Sequence, residues 1–269
     1  MRTIDLIAVI ALLIPGVAFG VSPETTDAKA IMDAVESQAK LDKIKSRIVM
    51  SITDKARRKR ERAVRSMSMV FEGGTRQLML FESPADVRNT GLLSVDYDDG
   101  AKDDDQWLYL PSLHKSTRIS SGQKSGSFMG TDLSYSDMTK NDPAHFEYVV
   151  LKQSVKAGGE PCWVIESRPK TQKAKDETGY VKSHVWVSKS KLIPVQVKAW
   201  VREGRKLKFI KFGDVKQLGG IWVPHKIMAK TVRGKEVQST TVIQITEQTI
   251  NNADVVADKF TQRQLEAGL

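Results

Sequence analysis

Arg65-Ser66-Met67-Ser68-Met69-Val70-Phe71, then Gly73-Gly74, then Arg76-Gln77-Leu78-Met79-Leu80-Phe81, is the stretch on which the fold turns. Alternation at a period of two places Met67, Met69 and Phe71 on one face of a strand. After a glycine turn it sets Leu78 and Leu80 opposite Gln77, Met79 and Phe81. Two alternating runs joined by glycine make a β-hairpin.

The same period begins at Ile44 and recurs to the end of the chain. Further strands are expected at 91–95, 106–110, 116–119, 146–153, 162–167, 181–188, 194–201, 206–212, 221–231 and 235–246. Gly158-Gly159, Glu203-Gly204, Gly219-Gly220 and Arg233-Gly234 separate them. Ten or more strands at hairpin spacing predict a mainly β (α+β) fold, a large curved antiparallel sheet. Helical spacing appears over 26–42, where Thr26 or Asp27 can cap and Ile31 and Val35 share the apolar stripe; a short closing helix is expected over 254–266. With no linker, repeat or low-complexity stretch, residues 21–269 read as one domain.

Arg2, an apolar run over 6–17 and the small residues Ala18 and Gly20 read as an export signal cleaved after Gly20, hence an exported chain. Cys162 is the one cysteine among 269 residues, so no internal disulfide is available and stability must come from the core. Forty-two Lys and Arg against 32 Asp and Glu give a net charge of +10. In an exported protein this favours anionic lipid or acidic envelope partners over nucleic acid.

Catalytic patterns are thin. His114, His145, His184 and His225 lie on separate segments without ligand spacing. The serines at 120–121 and 125–127 lack a nucleophile elbow, and no phosphate-cradling glycine pattern occurs. Asp96, Asp98, Asp99, Asp103, Asp104 and Asp105 around Gly100 offer oxygen ligands without the EF-hand order, and serve equally as a turn facing a basic neighbour. No enzyme, cofactor or metal site is expected.

What remains points to binding. Methionines in the β region, Met67, Met69 and Met79 among them, suit a cavity for flexible chains. Trp107, Trp163, Trp186, Trp200 and Trp222 add apolar surface, although Trp200 shares its strand face with Gln196 and Lys198, opposite Val195 and Val197. Phe128-Met129-Gly130 forms an apolar hook, followed by the acidic, hydroxyl-rich run to Met138. Expected cavity or lid residues are Ile31, Val35, Met67, Met69, Phe71, Met79, Trp107, Phe128, Met129, Trp186, Trp200 and Trp222, with Gly126 and Gly130 as hinges. Arg57-Arg58-Lys59-Arg60, with Arg62 and Arg65, is the strongest basic cluster, and its first four residues are expected to meet a membrane or a partner. Lys170, Lys173 and Lys175 read as a flexible loop.

Trp107-Leu108-Tyr109-Leu110-Pro111, Lys115-Ser116-Thr117-Arg118-Ile119 and Gly126-Ser127-Phe128-Met129-Gly130-Thr131-Asp132 resemble the outer-membrane lipoprotein-sorting protein family, the LolA-like periplasmic proteins. Leu192-Ile193-Pro194 and Gly220-Ile221-Trp222-Val223-Pro224 extend the likeness, which runs from about 27 to 265. The resemblance implies an incomplete β-barrel with helices covering its concave side. It also implies a hydrophobic cavity for lipids or lipoprotein acyl chains, an inner-membrane transporter as donor and an outer-membrane acceptor. Some relatives accompany transporters of the resistance-nodulation-division type, so an accessory or sensor subunit is the alternative. The chain is longer than the well-studied carrier and shows no obvious copy of its cavity arginine.

Overall fold

The computed structural model describes residues 21–268; the expected export signal lies outside them. Thirteen antiparallel strands form one sheet in the order β6-β5-β4-β3-β2-β1-β13-β12-β11-β10-β9-β8-β7. They are β1 (Ile44–Asp54), β2 (Lys59–Phe71), β3 (Gly74–Ser83), β4 (Gly91–Tyr97), β5 (Asp105–Leu110), β6 (Lys115–Arg118), β7 (Phe146–Ala157), β8 (Glu160–Pro169), β9 (Tyr180–Ser188), β10 (Pro194–Val201), β11 (Lys206–Leu218), β12 (Ile221–Arg233) and β13 (Glu236–Thr249). Two meanders meet where β1 pairs with β13, Met50 opposite Ile243. In the opening hairpin Met67 faces Leu78 and Ser66 faces Met79, the alternation read from the sequence. Gly74 permits the turn: a Cβ there would stand 2.2 Å from the Asp96 carbonyl oxygen of the adjacent strand.

The register sorts side chains onto two faces. Val64, Met79, Phe81, Leu92, Met50, Ile243, Ala229 and Ile210 share one buried cluster with Phe128 and Leu133, on the face we call inner. Met67, Leu78, Leu80 and Leu93 lie on the outer face, under Val255, Phe260 and Leu265 of the C-terminal segment. Leu265 belongs to helix α3 (Gln262–Ala267), capped by Thr261. The helix expected over 254–266 is therefore shorter, following a single 3-10 turn at Ala257–Lys259. Leu265→Ala should cost about 2–3 kcal/mol, at the low end for a buried leucine because a two-turn helix can settle inward. A urea denaturation series measures it.

The sheet curls. Gln106 on β5 donates to the Tyr135 carbonyl (3.0 Å), and Tyr180 on β9 donates to Asp137 two residues further on (2.7 Å). These strands are nine steps apart, so a flat sheet would separate them by roughly 43 Å. Three residues reach only about 10 Å. Curvature brings the two ends of the sheet together around the segment that joins β6 to β7.

Helix α1 (Ala28–Glu36) is capped by Asp27, whose carboxylate accepts from the Ala30 N–H at 3.0 Å. It ends six residues before the expected 42 because the Ser37 hydroxyl takes the Ala34 carbonyl and the chain turns towards β1. Its apolar stripe packs on the inner face, Ile31 fully buried with Trp163, Ile165, Val185 and Val187. Residues 172–178 form helix α2 (Gln172–Thr178) rather than the expected loop, with Thr171 capping its start and Gly179, at φ 65°, ending it.

Candidate functional site

Residues 119–145 leave the sheet at β6, fold across its inner face and return at β7. Their centre is a turn bonded to itself. The Phe128 N–H donates to the Leu133 carbonyl (2.8 Å), the Tyr135 N–H to that of Gly126 (3.1 Å), and the Ser127 hydroxyl to that of Thr131 (2.6 Å). Met129 at φ 50° and Gly130 at φ 73° sit in the left-handed region, which sharpens the tip. Of the two expected hinges, Gly130 holds a positive φ and Gly126 does not.

The tip points into the sheet. Phe128 has no exposed surface and meets the Phe81 and Tyr135 rings at 6.0 and 5.6 Å between centroids. The interior expected to be hollow is occupied here by this plug. Open clefts lie at its margins, lined by polar and apolar surface in similar measure. One of about 420 Å³ is bordered by α1, the β4–β5 turn, residues 136–146 and α2; one of about 220 Å³ lies beside Thr131–Ser134.

Three polar clasps hold the plug. Arg62 is buried on the inner face, donates to the Met129 carbonyl, and stacks over Phe81 at 5.7 Å. Burial lowers its pKa, Arg60 adds to the effect, and Asp86 opposes it. Asp132 accepts from Ser239 (2.5 Å) and Thr241 (2.7 Å) on β13. Asp137 pairs with Lys208 on β11 (2.7 Å) and accepts from Tyr180 (2.7 Å). Burial pushes the Asp137 carboxyl up, but Lys208, the Ser134 N–H and Tyr180 together hold it below its ordinary value.

A fourth group ties α1 to the far side of the mouth. Lys140 bonds Glu36 (2.7 Å), its N–H donates to Asp96 (2.8 Å), and Lys40 reaches Asp98. The acidic turn does meet basic neighbours: Asp103 pairs with Lys173 of α2, and Asp105 with Arg118. Among the described residues no group of three or more His, Cys, Asp or Glu is placed to hold a metal ion. Burial, opposed by the Tyr97 N–H and reinforced by Asp96, pushes Asp104 up to about 6. A raised carboxyl opposes folding above that value, and the penalty vanishes below about 3.9. Asp104→Asn should therefore raise the melting temperature at pH 8 and leave it unchanged near pH 4.

The sequence-predicted site residues fall into separate groups. Phe128, Met129 and Met79 join in the plugged interior, and Ile31 and Val35 join the cluster beneath α1. Met67, Met69 and Trp107 pack instead on the outer face under the C-terminal segment. Phe71 lies edge-on to Tyr97 with Arg76 over its ring. Trp186 and Trp200 flank His184 on the outer face, and Trp222 packs beneath Lys191. On β10 the inner face belongs to Val195, Val197 and Ala199, not to Trp200. Arg57, Arg58, Lys59 and Arg60 are exposed at the β1–β2 turn. Beside them lies the β12–β13 turn, where Glu236 bonds Lys55 at 2.7 Å. Arg62 was read as part of that basic run; its alternation with Val64 and Ser66 was the signal that placed it inside.

A family model described as "Uncharacterized protein" matches residues 73–267. No curated protein matches the sequence. Among solved structures, a Vibrio parahaemolyticus domain named provisionally for outer-membrane lipoprotein sorting is similar at 27% identity and a TM-score of 0.79, covering 89% of this chain and 98% of its own. A DUF1329 family protein from Desulfovibrio piger is similar at 27% identity and a TM-score of 0.75, covering 88% and 95%. A LolA superfamily protein from Nitrosomonas europaea shares the fold at 17% identity and a TM-score of 0.62, covering 87% and 97%.

Proposed function

We propose that this chain, which belongs to the family whose model spans residues 73–267 and has the fold of a LolA superfamily protein, binds and carries lipid acyl chains in the periplasm. One observation carries the reading. A fully buried aromatic residue of the interior, Phe128, sits on a self-bonded turn held by polar side-chain clasps rather than by strand pairing. Withdrawing the plug would uncover Met79, Phe81, Leu92 and Ile243 as a lining for hydrocarbon. Each methylene that replaced it there would gain roughly 0.8 kcal/mol on leaving water. The plug and the acyl chain would then compete for one space, so cargo passes on when the acceptor binds it more tightly. The provisional lipoprotein-sorting name of the Vibrio domain agrees with this reading. Among the described residues no helix is long and apolar enough to cross a membrane.

The test is native mass spectrometry of chain purified from a Gram-negative periplasm. A co-purifying or exchangeable lipid is expected; none in any preparation would end the proposal. The exposed cations at 57–60 favour a second reading, an accessory or sensor subunit docked on an envelope transporter. In that case charge reversal at Arg57 and Arg58 abolishes capture of the membrane partner and leaves lipid content unchanged.

A further inference from the structure

The outer face of the sheet has two unlike halves. Over β2–β5 it is apolar and the chain's own C-terminal segment covers it. Over β9–β12 no described element covers it, and its composition changes. Cross-strand pairing sets Lys198 between His184 and Phe209, and Phe209 between Lys198 and Lys230. In the next row Lys211 stands between Gln196 and Met228, with Trp186 beyond Gln196; in the row on the other side Lys182 lies beside Trp200. Lysine ammonium groups lie over these rings: Nζ of Lys182 and Lys198 over Trp200 at 4.8 and 4.5 Å, and Nζ of Lys230 over Phe209 at 5.4 Å. Met228 is 40% exposed, and Lys211 and Lys226 are exposed beside it.

Charge is one-sided here. Glu166, in the β8 row, is the facing carboxylate, and it is already bonded to Lys182 (2.7 Å), Arg168 (2.6 Å) and His184 (3.0 Å). Among the described residues Lys198, Lys211, Lys226 and Lys230 are left without an acid, interleaved with half-exposed aromatic rings.

We propose that the outer face of β9–β12 is a docking surface for an anionic phospholipid bilayer. Lysine ammonium groups on long stems can leave the rings for lipid phosphates and let the rings settle among the headgroups, as aromatic and basic side chains do at membrane interfaces. Each of these strands is paired on both sides, so the face offers side chains rather than a strand edge. This assignment does not depend on the carrier reading and moves membrane contact from the 57–60 turn to the sheet.

The experiment is co-sedimentation of the full chain with phosphatidylcholine vesicles, with or without phosphatidylglycerol. Binding is expected only with phosphatidylglycerol, with tryptophan fluorescence quenched by brominated lipid. Lys198→Glu with Lys230→Glu should lower vesicle affinity roughly thirty-fold or more. Arg57→Glu with Arg58→Glu makes the same change in net charge at the other surface and should keep affinity within about three-fold. Unchanged urea midpoints exclude misfolding, and Lys211→Glu with Lys226→Glu repeats the test if the first pair does not fold. Equal losses from sheet and turn variants, or a wild-type chain that ignores phosphatidylglycerol at low salt, as an acidic protein partner would require, overturns the assignment. Co-purifying lipid should survive in every variant, so failure here and failure of the carrier reading are distinguishable.

Discussion

Asp137→Ala is expected to cost about 3–4 kcal/mol, because it strands Lys208 as an uncompensated charge in a nearly closed site. The Lys208 and Asp137 side chains are only 9% and 13% exposed, and among the described residues no other carboxylate pairs with Lys208. Adding Lys208→Met to the same chain should return most of the loss, since an apolar stem of similar length needs no partner. Urea midpoints of the two singles and the double form the cycle. The pair also sets a pH dependence. Asp137 is held below its ordinary value, so its contribution is complete above about 3.9 and is lost as pH falls further. The Asp137→Ala chain should therefore approach the wild type in strongly acid solution. Equal destabilisation in the single and double variants would show that Lys208 does not need its partner.

Phe128→Ala should cost about 3–5 kcal/mol, as for other fully buried aromatic rings. Where that loss appears separates a plug from a core. If the turn is a separable unit, the variant opens locally. Its amides at Phe128, Thr131 and Tyr135 then exchange early and an apolar dye enters, while the amides of β1 and β13 keep most of their protection. If the turn is integral to the core, protection falls together across β1, β13 and residues 126–138.

Much of the fold was legible because a strand's period ties each side chain to a face. Met67, Met69 and Phe71 were assigned to one face, and Val197 opposite Trp200, from spacing alone. Which of two apolar faces encloses the interior was not legible. That depends on Val255, Phe260 and Leu265 returning from the far end of the chain to cover Met67 and Leu78. Both faces near the hairpin are apolar for this reason, and methionine or tryptophan content could not tell them apart.

Helix α2 was missed although its punctuation was present, Thr171 at the start and Gly179 at the end, because its lysines read as a loop. Arg62 was hidden by its neighbours. Within Arg57-Arg58-Lys59-Arg60-Glu61-Arg62 charge suggests one exposed turn, and only the step from Arg62 to Val64 reveals the strand beneath it. The clasps join residues more than 60 positions apart, Arg62 to Met129 and Asp132 to Thr241, and no local pattern encodes such pairs.

The most direct test fixes the plug in place and asks whether hydrocarbon can still enter. Asp132→Cys with Ser239→Cys, in a chain carrying Cys162→Ser, replaces the hydrogen-bonded pair that joins the turn to β13 with two thiols. A disulfide there would fasten residues 126–138 to β13. Uptake of an anthroyloxy-labelled fatty acid is then measured on the same preparation before and after reduction. The account predicts no uptake while the bridge is closed and saturable uptake once it is reduced; equal binding in the two states, or none in either, would contradict it.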